Sequence, residues 1–130
     1  MNTEKERRQT ILLVEDDGAT LPLLKALLNR LGYRVITAID EKDVLDNIPQ
    51  WLLETDLLLL NQGMPTQDVL AAGRRIRQHL STDGNLPVVV IAHKYGKDME
   101  GKDERDGQND WITYLEDSEQ LESLLGRLLN

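Results

Sequence analysis

Short apolar runs alternate with longer stretches whose large apolar residues fall at helical spacing, and this alternation limits the fold of the chain more than any other feature. The runs are TILLV (Thr10 to Val14), YRVITA (Tyr33 to Ala38), DLLLL (Asp56 to Leu60), LPVVVIA (Leu86 to Ala92) and DWITYL (Asp110 to Leu115). Short, nearly continuous apolar runs of this kind are strands buried on both faces. After the first run, Leu24, Leu27, Leu28 and Leu31 form one stripe of an amphipathic helix. Pro22 falls in its first turn, where proline is tolerated, and Gly32 ends it in a C-cap role. Asp40 can cap a second helix carrying Val44, Ile48 and Leu52, interrupted or kinked near Pro49. Val69, Gly73, Ile76 and Leu80 mark a third helix. Asp117 with Gln120 resembles a capping box ahead of a last stripe, Leu121, Leu124, Leu125 and Leu128. Strands and helices in this alternation imply right-handed crossovers and a parallel sheet covered on both faces.

One segment breaks the pattern. From Gly96 to Asp110 the sequence is GKDMEGKDERDGQND, with Met99 its one large apolar residue. A fourth helix is due here, yet little could hold it on a sheet, and Gly101 weakens it further. The expectation is a short, frayed or mobile helix. The chain of 130 residues suits a single domain, expected over residues 10–130, behind a disordered lead-in over residues 1–9. A chain of this length buries roughly two-thirds of its unfolded surface, enough for one core.

Composition removes several function classes. There is no cysteine, which excludes disulfides and thiolate metal sites and points to a reducing, cytoplasmic compartment. Fifteen basic residues stand against 23 acidic ones, a net charge of −8, which argues against a nucleic-acid binder. No apolar run approaches the ~20 residues needed to span a bilayer. The opening MNTEKERRQT lacks the apolar segment of a secretory signal.

The chemistry, if any, should sit at the C-terminal ends of the strands, where open α/β sheets place their sites. Glu15, Asp16 and Asp17 follow the first strand, either as hard oxygen ligands for Mg²⁺ or as acids favoured at a helix N-terminus. At the end of the third strand stands Asn61, an amide that is neither acid, base nor nucleophile. Arg74, Arg75 and Arg77 are expected on the solvated face of the third helix, with a local anionic contact as the alternative. His79 and His93 have no metal-ligand spacing, and Trp51 and Trp111 are expected to be partly packed. No glycine-rich phosphate loop, GxSxG or HExxH is present.

The order ILLVEDD, DLLLLNQGMP, PVVVIAH, NDWITYL resembles the receiver domain of bacterial response regulators over nearly the whole chain, about Thr10 to Asn130. The resemblance implies a flavodoxin-like (βα)5 fold, a doubly wound five-stranded parallel sheet of order 2-1-3-4-5. A typical receiver takes a phosphoryl group onto an aspartate ending the third strand. An acidic pair after the first strand holds Mg²⁺, a Thr or Ser ends the fourth, a Lys lies near the end of the fifth, and an aromatic on the fifth switches rotamer. Laid onto this chain, the aspartate position is Asn61, the hydroxyl position Ala92, the lysine position Tyr114 and the aromatic position Trp111, and only the acidic pair Glu15 and Asp16 survives. Asp56 lies at the wrong end of its strand and Asp68 belongs to the next helix, so neither replaces the missing acceptor.

An amide is a poor nucleophile, so Asn61 should not accept a phosphoryl group. With one anionic ligand fewer, the Glu15 and Asp16 site should bind Mg²⁺ weakly or not at all, and no other cofactor is expected. These losses imply a phosphorylation-independent pseudo-receiver, not an enzyme, acting by protein–protein contact in a two-component-type pathway. The expected contact face is residues 95–125, with protein partners of a bacterial signalling pathway or a second copy of the chain as occupants, and no nucleic acid or membrane. Two alternatives stand beside this reading: a ligand- or ion-sensing domain using the remodelled pocket, and a residual Mg²⁺-dependent phosphoacceptor.

Overall fold

The computed structural model describes residues 8–48, 54–80 and 84–129. Its elements in chain order are β1 (Thr10–Glu15), α1 (Thr20–Arg30), β2 (Arg34–Ala38), α2 (Glu41–Asn47), β3 (Leu57–Asn61), α3 (Thr66–Leu80), β4 (Val88–Ile91), β5 (Asp103–Arg105), β6 (Asp110–Thr113) and α4 (Ser118–Leu129). The sheet runs β2-β1-β3-β4-β6-β5. Its first five strands are parallel, in the 2-1-3-4-5 order that the resemblance implied, and β5 is added antiparallel at the edge beside β6.

The apolar runs became strands because both faces are covered. Leu12, Val14, Leu58, Leu60, Val88, Val90 and Ile112 pack on the side of α2 and α3. Ile11, Leu13, Leu57, Leu59, Val89 and Ile91 pack on the side of α1 and α4, against Leu28, Leu121, Leu124 and Leu125. A residue period of two therefore splits each leucine run between two cores. Gly73 lets α3 lie close to the sheet: a Cβ there would stand 2.8 Å from Val88 Cγ1 and 3.0 Å from Leu60 Cδ1.

The helix ends follow the sequence signals. Gly32 has φ +101°, and the Gly32 and Tyr33 N–H groups donate to Asn29 and Leu28, the two bonds of a Schellman cap. Asp40 accepts from the Asp43 N–H at 2.8 Å. At α4, Asp117 accepts from the Gln120 N–H, and Gln120 Oε1 accepts from the Glu116 N–H, one residue earlier than a strict capping box. Gln9, read as part of the lead-in, donates from its side chain to the Leu129 carbonyl at 2.6 Å. The rest of that lead-in up to residue 7, Pro49, Leu52 and the packing of Trp51 lie outside the described residues.

Two expectations need correction. The segment after β4 forms no fourth crossover helix; a turn over residues 97–101 leads into β5, which pairs back onto β6. A helix needs an apolar face to stay on a sheet, whereas an edge strand satisfies its backbone through ladder bonds whatever its side chains are. Tyr95 and Tyr114, stacked edge-to-face at 5.3 Å, pack on the core surface there instead. The three arginines of α3 also do not form a simply solvated face. Arg74 and Arg77 both pair with Asp110, which is only 4% exposed, and Arg75 grips Glu41 with two bonds of 2.7 and 2.8 Å.

Candidate functional site

Parallel pairing of β1 with β3 sets Glu15 opposite Asn61 at the C-terminal edge of the sheet. Both side chains are buried, at 2% and 8% exposure. Asn61 Nδ2 donates to Glu15 Oε1 at 2.6 Å, and Asn61 Oδ1 meets His93 Nε2 at 2.5 Å. The second Glu15 oxygen accepts from the Asp17 N–H at 3.1 Å. Asp16 is exposed and accepts from the Gly63 N–H at 3.3 Å, which ties the acidic loop to the loop after β3. Asp17 lies outside the pocket. It accepts from the Thr20 hydroxyl and the Ala19 N–H at the start of α1, and the Thr20 bond leads in holding its carboxyl below the usual range.

The structure thus brings Glu15 and Asn61 into contact and sets Asp16 against the loop that follows Asn61. Ala92 is buried just past β4 and offers no hydroxyl. Tyr114 takes no part in the polar chain around Asn61. Its hydroxyl donates to Glu104 at 3.1 Å and its ring packs on Tyr95. Burial, followed by the Glu104 carboxylate, raises the Tyr114 phenol above its ordinary value. Trp111 lies on the opposite face, half-buried, with the Arg105 and Arg127 guanidinium carbons 6.0 and 5.9 Å from its ring centre. Asp103 anchors Arg127 at 2.9 Å and also accepts from Thr113 and Gln120. Each of these two cation contacts with the ring is worth roughly 0.5–1 kcal/mol at an exposed site.

His93 is the member that sequence reading missed, because it was weighed only as a metal ligand. Its signal was position: it comes two residues after β4, next to Ala92, at the sheet edge where Asn61 ends β3. Asp56 is confirmed at the far end of β3, accepting from the Thr10 N–H at 2.7 Å. Beside the site, Gly63, Met64, Pro65, Thr66, His93 and Lys94 line a cleft of about 300 Å³. Among the described residues no group of three His, Asp or Glu side chains is placed to hold a metal ion, and no helix is long and apolar enough to cross a membrane.

Among curated proteins, the chain is similar to the transcriptional regulatory protein KdpE of Staphylococcus aureus, 33% identical over 103 residues that make up 79% of this chain and 42% of that one. It is also similar to the transcriptional regulatory protein CpxR of Escherichia coli, 37% identical over 62% of this chain and 32% of that one. The chain therefore spans between about a third and two-fifths of the length of these relatives. Among solved structures, the receiver domain of the sensor histidine kinase PA1611 of Pseudomonas aeruginosa, described with a magnesium ion in its active-site cleft, superposes with a TM-score of 0.66 at 25% identity, covering 95% of this chain and 98% of that one. The chemotaxis protein CheY4 of Vibrio cholerae gives 0.68 at 20% identity over 95% and 100% of the two chains, a likeness of fold. The family model described as the response regulator receiver domain matches residues 11–125, and the chain belongs to that family.

Proposed function

We propose that this receiver domain works without phosphorylation, as a pseudo-receiver that signals through protein–protein contacts in a two-component-type pathway of the cytoplasm. The observation that carries the reading is Asn61 itself. The residue ending β3 is a buried amide whose nitrogen and oxygen are both already hydrogen-bonded, to Glu15 and His93. It has no nucleophilic oxygen to offer a phosphodonor. Ala92 and Tyr114 agree with this, since these two positions supply neither the aliphatic hydroxyl nor the ammonium with which a typical receiver holds its phosphoryl group. The cation clamp on Trp111 supports a surface held in one state. The proposed contact face is residues 95–125, the β5–β6 hairpin with the first part of α4, used by a protein partner or a second copy.

Intact mass after incubation with acetyl phosphate and MgCl2 tests the reading, and an unchanged mass is expected. A stoichiometric phosphoryl adduct, whether at Asp16, His93 or elsewhere, would overturn it and favour the residual phosphoacceptor. The cleft lined by Thr66, His93 and Lys94 favours a second reading, a small-ligand sensor. A thermal-shift screen across metals and metabolites separates the two: a saturable shift that needs His93 and Lys94 supports the sensor.

A further inference from the structure

Glu15, Asp16 and Asn61 do not fit a divalent cation as they are arranged. A metal between Glu15 and residue 61 must meet an oxygen from each. Here residue 61 turns a nitrogen toward Glu15, with 2.6 Å between Nδ2 and Oε1. The N–H dipole points its positive end at the carboxylate, where a cation would otherwise lie. The opposite amide orientation would set two oxygens 2.6 Å apart, one of them on a carboxylate, so Glu15 decides which way the amide faces. The oxygen left on the far side is taken by His93 Nε2. Turning it toward a metal costs both bonds at once.

We infer that Asn61 stands in for the divalent cation, its amide N–H serving as the built-in positive partner of Glu15, and that His93 is the positioning residue that latches the amide in this orientation. The inference rests on the pseudo-receiver reading and explains why two acids can persist beside a site that takes up no charge. Glu15 is buried, and a buried carboxylate without donors is strongly disfavoured. The donors from Asn61 and from the Asp17 backbone satisfy both of its oxygens inside the chain. The Gly63 N–H donates to one oxygen of the exposed Asp16. The acidic pair is thereby retained for architecture: it ties the loop after β1 to the end of β3 and the loop behind it.

The test is an MgCl2 titration followed by ¹⁵N–¹H spectra, read at Asp16, Asp17 and residues 61–63. Wild type is expected to show no saturable shift at millimolar Mg²⁺. Asn61→Asp restores a third carboxylate and should bind Mg²⁺ on the order of tenfold more tightly or better. His93→Ala, a change at an exposed position, frees the amide to turn its oxygen inward and should gain a weaker saturable response. His93→Gln keeps an N–H donor and should stay as silent as wild type. A saturable wild-type response matching that of Asn61→Asp, or silence of Asn61→Asp itself, overturns the stand-in. Silence of His93→Ala while Asn61→Asp responds overturns the latch. Metal binding without a phosphoryl adduct would remove this inference and leave the pseudo-receiver reading intact; an adduct would remove that reading itself.

Discussion

A single atom type decides the chemistry at the end of β3. Nitrogen in place of oxygen makes residue 61 a donor to Glu15, and in the proposed function it is also what removes the nucleophile. Asn61→Asp should therefore cost about 1–3 kcal/mol in EDTA at neutral pH, because it sets like charges together in a buried site. The loss should shrink as pH falls, since the crowded carboxylates hold a proton more tightly folded than unfolded; urea titrations across pH measure both. The same variant should not regain phosphorylation-dependent switching, because Ala92 and Tyr114 still lack the groups that would read a phosphoryl. Asp110 is the other decisive residue. Burial pushes its carboxyl up, but hydrogen bonds from Arg77 and Arg74 outweigh that and hold it below the usual range. A depressed folded pKa means stability that is present above the unfolded value, near 4, and is lost as pH falls through the folded one. Asp110→Asn should cost about 3 kcal/mol at neutral pH, and the difference should vanish as pH falls through the depressed folded pKa. His93 shows the limit of residue-scale reading: without metal-ligand spacing it passed as an ordinary histidine, and only its contact with Asn61 gave it a role.

At the scale of elements, the strands and the helix caps were legible because their signals are local. Gly32, Asp40 and Asp117 act within one turn of where they stand, and Asp117→Ala should lower stability by about 1 kcal/mol in urea. The segment between Gly96 and Asp110 was not legible in the same way. Its lack of apolar residues correctly spoke against a packed helix, but a missing helix does not name its replacement. The replacement is a hairpin, and its parts are tied down by contacts distant in sequence: Arg74 and Arg77 at its turn, Arg127 on its edge strand. Arg127→Ala should remove one of the two cation contacts on Trp111. In a Trp51→Phe background, its emission should become more accessible to iodide, with roughly 0.5–1 kcal/mol of stability lost. Unchanged quenching would mean that Arg127 does not cover the ring.

For the whole molecule, the proposed mode of action predicts indifference. Acetyl phosphate with MgCl2 should change neither the melting temperature nor the sedimentation behaviour, and a shift in either would mark a working switch. On the contact face, Asp103 and Asp106 are already engaged with Arg127 and Arg74, so their reversal would disturb the hairpin as well as any partner. Glu104, exposed and bonded to Tyr114, is the cleaner probe of partner binding. The sequence by itself determined the alternation of strands and helices, the burial of the sheet on both faces and the amide at the end of the third strand, since each follows from residue type and near-neighbour spacing. The antiparallel sixth strand, the hold of two arginines on Trp111 and the chain of bonds from His93 through Asn61 to Glu15 were decided only by the tertiary structure. Each joins groups far apart in sequence, and no local preference records which strand edge is open or which side chain waits across it.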